Sequence, residues 1–353
     1  MNKTATPKEP EQLELLDPTL DNEGKLGPIN SKLSPAVSEL PEKNFSTILQ
    51  GKGPNALTGI RAVEGKNTEI DELTGEATIR NGDLTVRIPN FRELAGLRTS
   101  TLQLLDAITI SLTESGSRSP TVSLSLDNYM DRRGLKDRKE AKKQVREDIE
   151  TLSGISLKWT EERGDKVETF SFINLADSGR VERNGDIIFT FGTTFYHTLK
   201  GYPVMAYPKQ LQTLNAKRNP NSYHLLKKIS ELKNMNVGKK NENIVAVETL
   251  LSVASYLPSY EEVMRGNRNV QARIIEPFER DMDALGDTLT WEYCHSLGQP
   301  LTDEELTNIS YDIFEKLLIK ITWREYPDQT ARLQTKAERI KKGQKKKKTK
   351  KAN

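Results

Sequence analysis

The chain of 353 residues has one cysteine, Cys294, and only three histidines, His197, His224 and His295. A lone thiol makes no intrachain disulfide and builds no cysteine-based zinc site. The histidines form neither an HxH nor an HExxH pattern, so no metal site is expected and His-hydrophobic-His nucleases and relaxases are disfavoured. No GxxxxGK[ST] occurs. Its nearest approach, "GIRAVEGKN" at 59–67, has the wrong spacing and no hydroxyl after the lysine, which argues against an ATPase initiator or helicase. No Ser-His-Asp constellation follows from spacing, and no cofactor is expected. No apolar run is long enough to span a bilayer, and the start, "MNKTATPKEPEQLELL", lacks an apolar signal core. The expectation is a soluble, intracellular protein with no membrane partner.

What is abundant is charge, at 29% of residues against 35% hydrophobic ones. The net of +3 conceals an uneven distribution. From Lys336 to Lys351 there are ten Lys or Arg and one Glu, a net of +9, so the other residues sum to −6. The first fifty residues hold eight acids and five bases. The body is therefore not a globally basic particle, and any nucleic-acid binding must use local patches.

Residues 1–45 are rich in Pro, Glu, Lys, Ser and Asn without a sustained apolar period, and read as a disordered arm. In the lead-in over 46–90, "EATIRNGDLTVRI" predicts two short strands around an Asn81-Gly82 turn. "STLQLLDAITISLTES" from Ser100 predicts a helix with Leu102, Leu105, Ile108 and Leu112 inward, and "TVSLSL" alternates as a strand. A short helix capped by Asp127 and stopped by Gly134 comes next. A longer helix over 137–154 has the stripe Ala141, Val145, Ile149, Leu152 and a stop at Gly154. "ISLKWTEE", "VETFSFINL" and "DIIFTF" read as strands, with turns at Gly164-Asp165 and near Gly179.

The order helix, strand, helix, helix, strand, strand is that of a winged helix, and it recurs. A helix from Ser222 to Met235 turns Tyr223, Leu226, Ile229 and Leu232 inward. "NIVAVETLLSVASYL" and "SYEEVM" lead to "NVQARIIEPFERDMDAL", whose Val270, Ile274, Phe278, Met282 and Leu285 make an apolar stripe. "TLTWEYC" and "LLIKITWRE" form a hairpin around a polar insert with a capping box, Thr302 to Glu305. The expected fold class is α+β: a winged-helix domain at 91–205, a second at 206–330, and a basic tail at 331–353.

Two segments carry candidate DNA contacts. Between Arg132 and Arg146 there are eight Lys or Arg and two acids, with Arg132, Arg133, Lys136, Arg138, Lys139, Lys143 and Arg146 as the candidates. A solvated face with i,i+4 pairs to Glu140, Glu147 and Glu150 is the alternative. In the second half, Arg265, Arg268, Asn269, Gln271 and Arg273 gather at the front of a helix whose far end is acidic. That polarity suits a helix entering a major groove by its N-terminus, where Arg pairs with guanine and Asn or Gln with adenine. Pro277 removes one backbone bond within it. Lys217 and Arg218 lie in the crossing segment, and the lysine tail attracts any nucleic acid.

"TVSLSLDNYMDRRGLKDRKEAKKQVREDIETLSGISLKW", the "YP…L…L" run with its following helix, and "NVQARIIEPFERDMDALGDTLTWEY" with "LLIKITWREYP" resemble the replication initiator (Rep) proteins of theta-replicating iteron plasmids. The resemblance covers Phe91 to Pro327; the insert at 295–315 lengthens the second wing beyond the family's pattern. It implies tandem winged helices that bind direct repeats at an origin in double-stranded DNA. It also implies help in opening the DNA, recruitment of host replication proteins such as a helicase or initiator, autorepression as a homodimer, and no chemistry of its own. The setting it implies is the bacterial cytoplasm, associated with DNA. A winged-helix transcriptional regulator uses the same surfaces. A nicking initiator enzyme would need a metal or tyrosine centre; no motif for one is present, and the ten tyrosines leave a tyrosine nucleophile open.

Overall fold

The computed structural model describes residues 44–49, 68–81, 84–88, 97–163, 166–201, 204–266, 268–296, 298–307 and 309–327. The arm through residue 43, the tail from 328, the segment "GIRAVEGKN" with the residues from 50 that precede it, and the expected turn residues Gly82, Gly164 and Asp165 lie outside them.

The chain is α+β. It opens with strands β1 (Phe45–Leu49), β2 (Thr68–Ile70), β3 (Ala77–Asn81) and β4 (Leu84–Ile88). A first unit follows: α1 (Thr99–Ser115), β5 (Thr121–Leu124), α2 (Leu126–Arg133), α3 (Arg138–Gly154), β6 (Ser156–Arg163), β7 (Lys166–Asn174), β8 (Ala176–Val181) and β9 (Ile187–Phe191). Helix α4 (Thr193–Lys200), β10 (Val204–Pro208) and α5 (Gln210–Thr213) cross to the second unit. That unit contains α6 (Ser222–Asn236), β11 (Ile244–Ala246), α7 (Val247–Leu251), α8 (Tyr260–Arg265), a π-turn (Gln271–Ile275), α9 (Glu276–Asp283), β12 (Leu289–Cys294), α10 (Asp303–Leu306), α11 (Tyr311–Phe314) and β13 (Leu318–Trp323).

Both units contain a three-stranded antiparallel sheet with the same strand order: β5-β9-β8 in the first and β11-β13-β12 in the second. In each, the strand before the paired helices lies beside the last strand, and the middle strand forms the edge. The β6–β7 hairpin, expected as the first wing, instead continues a sheet ordered β2-β3-β4-β6-β7. The hairpin that closes on β5 is β8–β9. Gly179, expected at a turn, lies inside β8, and the chain reverses at 182–186. Gly179 is needed for close approach: a Cβ there would stand 2.5 Å from Ile149 Cγ2 on α3.

Local chemistry accounts for the helix ends. Ser125, rather than the expected Asp127, caps α2, its Oγ accepting from Asn128 N at 3.1 Å. Asp127 sits in the first turn and pairs with Arg138. Asp137 caps α3 through Glu140 N at 2.9 Å. Gly154 is the last helical residue of α3 rather than its stop, because Ile155 is already extended and feeds β6. Ala141, Val145, Ile149 and Leu152 are buried as their spacing requires. The Thr302–Glu305 capping box is formed, and β12 pairs with β13 across the insert.

The apolar core runs without a break from Ile48 through both units to Ile321. Strand β1 pairs antiparallel with β10 and packs on α1, with Leu49 N donating to Thr113 Oγ1 at 3.1 Å. Its first residue, Phe45, meets Tyr326 edge-on at 5.3 Å. So β1 touches the first unit, the crossing segment and the end of the second unit. Among the described residues no helix is long and apolar enough to cross a membrane.

Candidate nucleic-acid interface

In the first unit, α2 and α3 are joined by a tight turn in which Gly134 takes φ +64°. The buried stripe fixes which face of α3 looks outward. That face exposes Lys139, Lys143 and Arg146, and Lys136 is exposed just before it. None of these four makes an ion pair among the described residues. Arg146 also lines an open groove between α3 and β8 together with Glu150, Ser153 and Arg180.

The other three candidates here are held within the protein. Arg132 pairs with Glu114 at 3.7 Å. Arg133 donates to Tyr129 Oη at 2.9 Å and is half-buried. Arg138 pairs with Asp127 and donates to Asn184 O at 2.9 Å, tying the start of α3 to the β8–β9 turn. Lys142 reaches the same turn, donating to Arg183 O at 3.1 Å. These bonds set exposed Arg183 beside the basic face of α3. The sequence reading passed over Arg183 and Lys142. The dipeptide Asn184-Gly185, a hairpin-turn signal, was available to locate that tip, and Gly185 has φ +102°.

In the second unit the long helix starts as expected at Asn269, whose Oδ1 accepts from Ala272 N at 3.0 Å. Pro277 has no N–H for the carbonyl four residues back, and the turn before it is a π-turn in which Glu276 N bonds Gln271 O. The apolar stripe recurs every four residues, wider than the 3.6 of an α-helix, and one wide turn absorbs part of that mismatch. Ile274, Phe278, Met282 and Leu285 are buried, Val270 is half-buried, and Ile275 joins them. Gln271, Arg273 and Arg268 are exposed at the front, with Arg265 exposed at the end of α8. Arg268 has φ +58°, the one positive value for a non-glycine among the described residues. A side chain is held there at a cost that surrounding structure must offset.

The acidic end of this helix is occupied by structure. Asp281 is fully buried, accepting from Asn221 N at 3.0 Å, Asn221 Nδ2 at 2.8 Å and Arg280 at 3.1 Å. Glu279 accepts from Tyr293 Oη at 3.0 Å, and Asp283 from Trp291 Nε1 at 3.0 Å, so these acids clip the helix to β12. Burial pushes the Glu279 carboxyl above its usual range, against the lowering effect of the Tyr293 bond. Lys217 and Arg218 are exposed on a turn in which Asn215 Oδ1 accepts from Lys217 N at 2.9 Å. Two outward helix faces thus carry cations and amides, each backed by a three-stranded sheet. Among the described residues no three His, Cys, Asp or Glu side chains gather as a metal site.

No protein-family model matches this chain, and no curated protein matches it. Among solved structures, a crystal structure of domains 2 and 3 of RctB is similar, with a TM-score of 0.42 and 11% identity, covering 76% of this chain and 98% of that one. A second, of RctB 155–483, has a TM-score of 0.38 and 11% identity, covering 76% of this chain and 95% of that one. Likeness at this level leaves the functional reading to the chain's own residues.

Proposed function

We propose that the chain is a replication initiator that binds double-stranded DNA through two winged-helix units, 91–205 and 206–330, after an arm at 1–45 and a lead-in at 46–90. The observation that carries this reading is the repeated strand order β5-β9-β8 and β11-β13-β12. In both units the helix preceding the edge hairpin turns cations or amides outward. A helix presented this way enters a major groove, and a hairpin beside it reaches the flanking backbone. In the proposed complex Lys139, Lys143 and Arg146 meet phosphates and base edges of one segment, and Arg268, Gln271 and Arg273 read the next. Lys217 and Arg218 follow the backbone between them, and the tail at 331–353 adds attraction without sequence preference.

Beyond DNA binding, the resemblance to plasmid initiators supports direct repeats at an origin as the target. It also supports opening of the DNA, recruitment of a host helicase or initiator, and autorepression by a homodimer. No step of this scheme needs a catalytic group or cofactor, and its setting is the bacterial cytoplasm.

Nuclease footprinting on the DNA flanking the gene tests the proposal. Protection recurring at direct repeats, each about two helical turns long, is the expected result. One symmetric footprint over a promoter replaces the initiator with a transcriptional regulator. A covalent adduct on supercoiled DNA with divalent metal replaces it with a nicking enzyme. Absence of any footprint refutes sequence-specific binding.

A further inference from the structure

The first helices of the two units, α1 and α6, meet through buried polar groups. Asp106 of α1 and Lys227 of α6 are 2% and 4% exposed, and their Oδ1 and Nζ lie 2.7 Å apart. Asp106 Oδ2 accepts from Tyr223 Oη of α6 at 2.6 Å and from Tyr207 Oη of β10 at 2.8 Å. Lys227 Nζ also donates to Tyr223 Oη at 3.0 Å. Gln212 donates to Tyr207 Oη at 2.9 Å, and Gln103 of α1 donates to Leu211 O at 2.7 Å. One carboxylate thus collects donors from the crossing strand and from the second unit.

We infer that Asp106 and Lys227 are positioning residues that hold the two DNA-facing helices at a single separation, so that a two-part site is read at one spacing only. This rests on the DNA-binding reading above. An apolar contact between helices can slide by a fraction of a turn at small cost, because apolar burial is non-directional. A buried carboxylate with three donors cannot: any displacement leaves a charge or a hydroxyl unpaired where water does not reach. A buried ion pair adds little net stability compared with apolar packing, and its best-attested use is to set register. Strand β1, bonded to β10 and packed on α1, closes the same junction from outside.

Two measurements test this, the first without DNA. Spin labels at Lys143→Cys and Gln271→Cys, both exposed sites, report the distance between the helix faces by pulsed electron resonance; Cys294 is buried. A single narrow distribution is expected in the otherwise unaltered protein, and a broadened one after Asp106→Asn with Lys227→Gln. A broad distribution before those changes overturns the inference whatever the protein binds. The second measurement inserts two or five base pairs between the segments whose protection is lost in Arg146→Ala and in Arg273→Ala. The unaltered protein should lose about a hundredfold in affinity as the two contacts stop acting together. The double variant should lose less than about threefold relative to its own uninterrupted site. Equal tolerance in both proteins overturns the inference while leaving DNA binding intact; no footprint at all removes the DNA reading and leaves the distance measurement to decide. Should the amide pair not fold, Asp106→Leu with Lys227→Met replaces the ion pair by apolar groups, and equal spacing tolerance in that variant and the unaltered protein has the same meaning.

Discussion

His224 offers a sharp test of how dry the interior around α6 is. It lies on α6, is 1% exposed, and has Lys227 one turn further along. Burial, with a smaller contribution from the Lys227 charge, lowers its pKa from 6.5 to about 3. The native state therefore keeps the ring neutral where the unfolded chain protonates it. Its contribution to stability is fully present above pH 6.5 and is lost as pH falls from there toward 3. At about 1.4 kcal/mol per unit of difference, lowering the pH from about 7 to about 5 removes about 2 kcal/mol. Urea unfolding of the unaltered protein and of His224→Gln at both pH values isolates this quantity. Carboxylates elsewhere affect both proteins alike, so the gap between the two should shift by about 2 kcal/mol in favour of the Gln variant at the lower pH. An unchanged gap would show that the ring is wet or already protonated in the folded protein, and the account of α6 as a dry, buried helix would fail with it.

Changing Lys139, Lys143 and Arg146 together to Gln should flatten the dependence of log K on log salt by about 2.7, at about 0.9 per phosphate contact; an unchanged slope removes α3 from the interface. Arg268→Gly should raise thermal stability by about 0.5–1 kcal/mol, because glycine adopts φ +58° without strain. The same change should weaken specific DNA binding in a mobility-shift assay, and a variant that binds as well as the parent would show that Arg268 serves the turn alone. Gly179→Ala should cost about 1–3 kcal/mol by pushing β8 off Ile149, read by calorimetry; a neutral effect would mean that α3 yields freely.

Most helices and strands of each unit were legible because their signals are local; β8, which runs through the turn expected near Gly179, was not. The stripe Ala141, Val145, Ile149, Leu152 and the four-residue rhythm from Val270 to Met282 each name a buried face within a few turns of chain. The front of the second long helix was legible in the same way, down to its start at Asn269. The fate of individual cations was not. Arg132, Arg133 and Arg138 look like Lys139 and Lys143 in sequence, yet Glu114, Tyr129 and Asp127 engage them; the Tyr129 pair lies within one helix, and only the packing of α1, α2 and α3 decides the other two. The clearest divide runs along α1. Its apolar spacing marks Leu102, Leu105, Ile108 and Leu112 as one buried face, which leaves Gln103, Asp106, Thr109 and Thr113 to read as a solvated one. In the folded chain all eight are buried. The polar four are covered by β1, from some sixty residues earlier, and by elements of the crossing segment and second unit a hundred residues later. Periodicity records which residues share a face of one element. What that face meets is set by contacts between distant parts of the chain, and those exist only once it has folded.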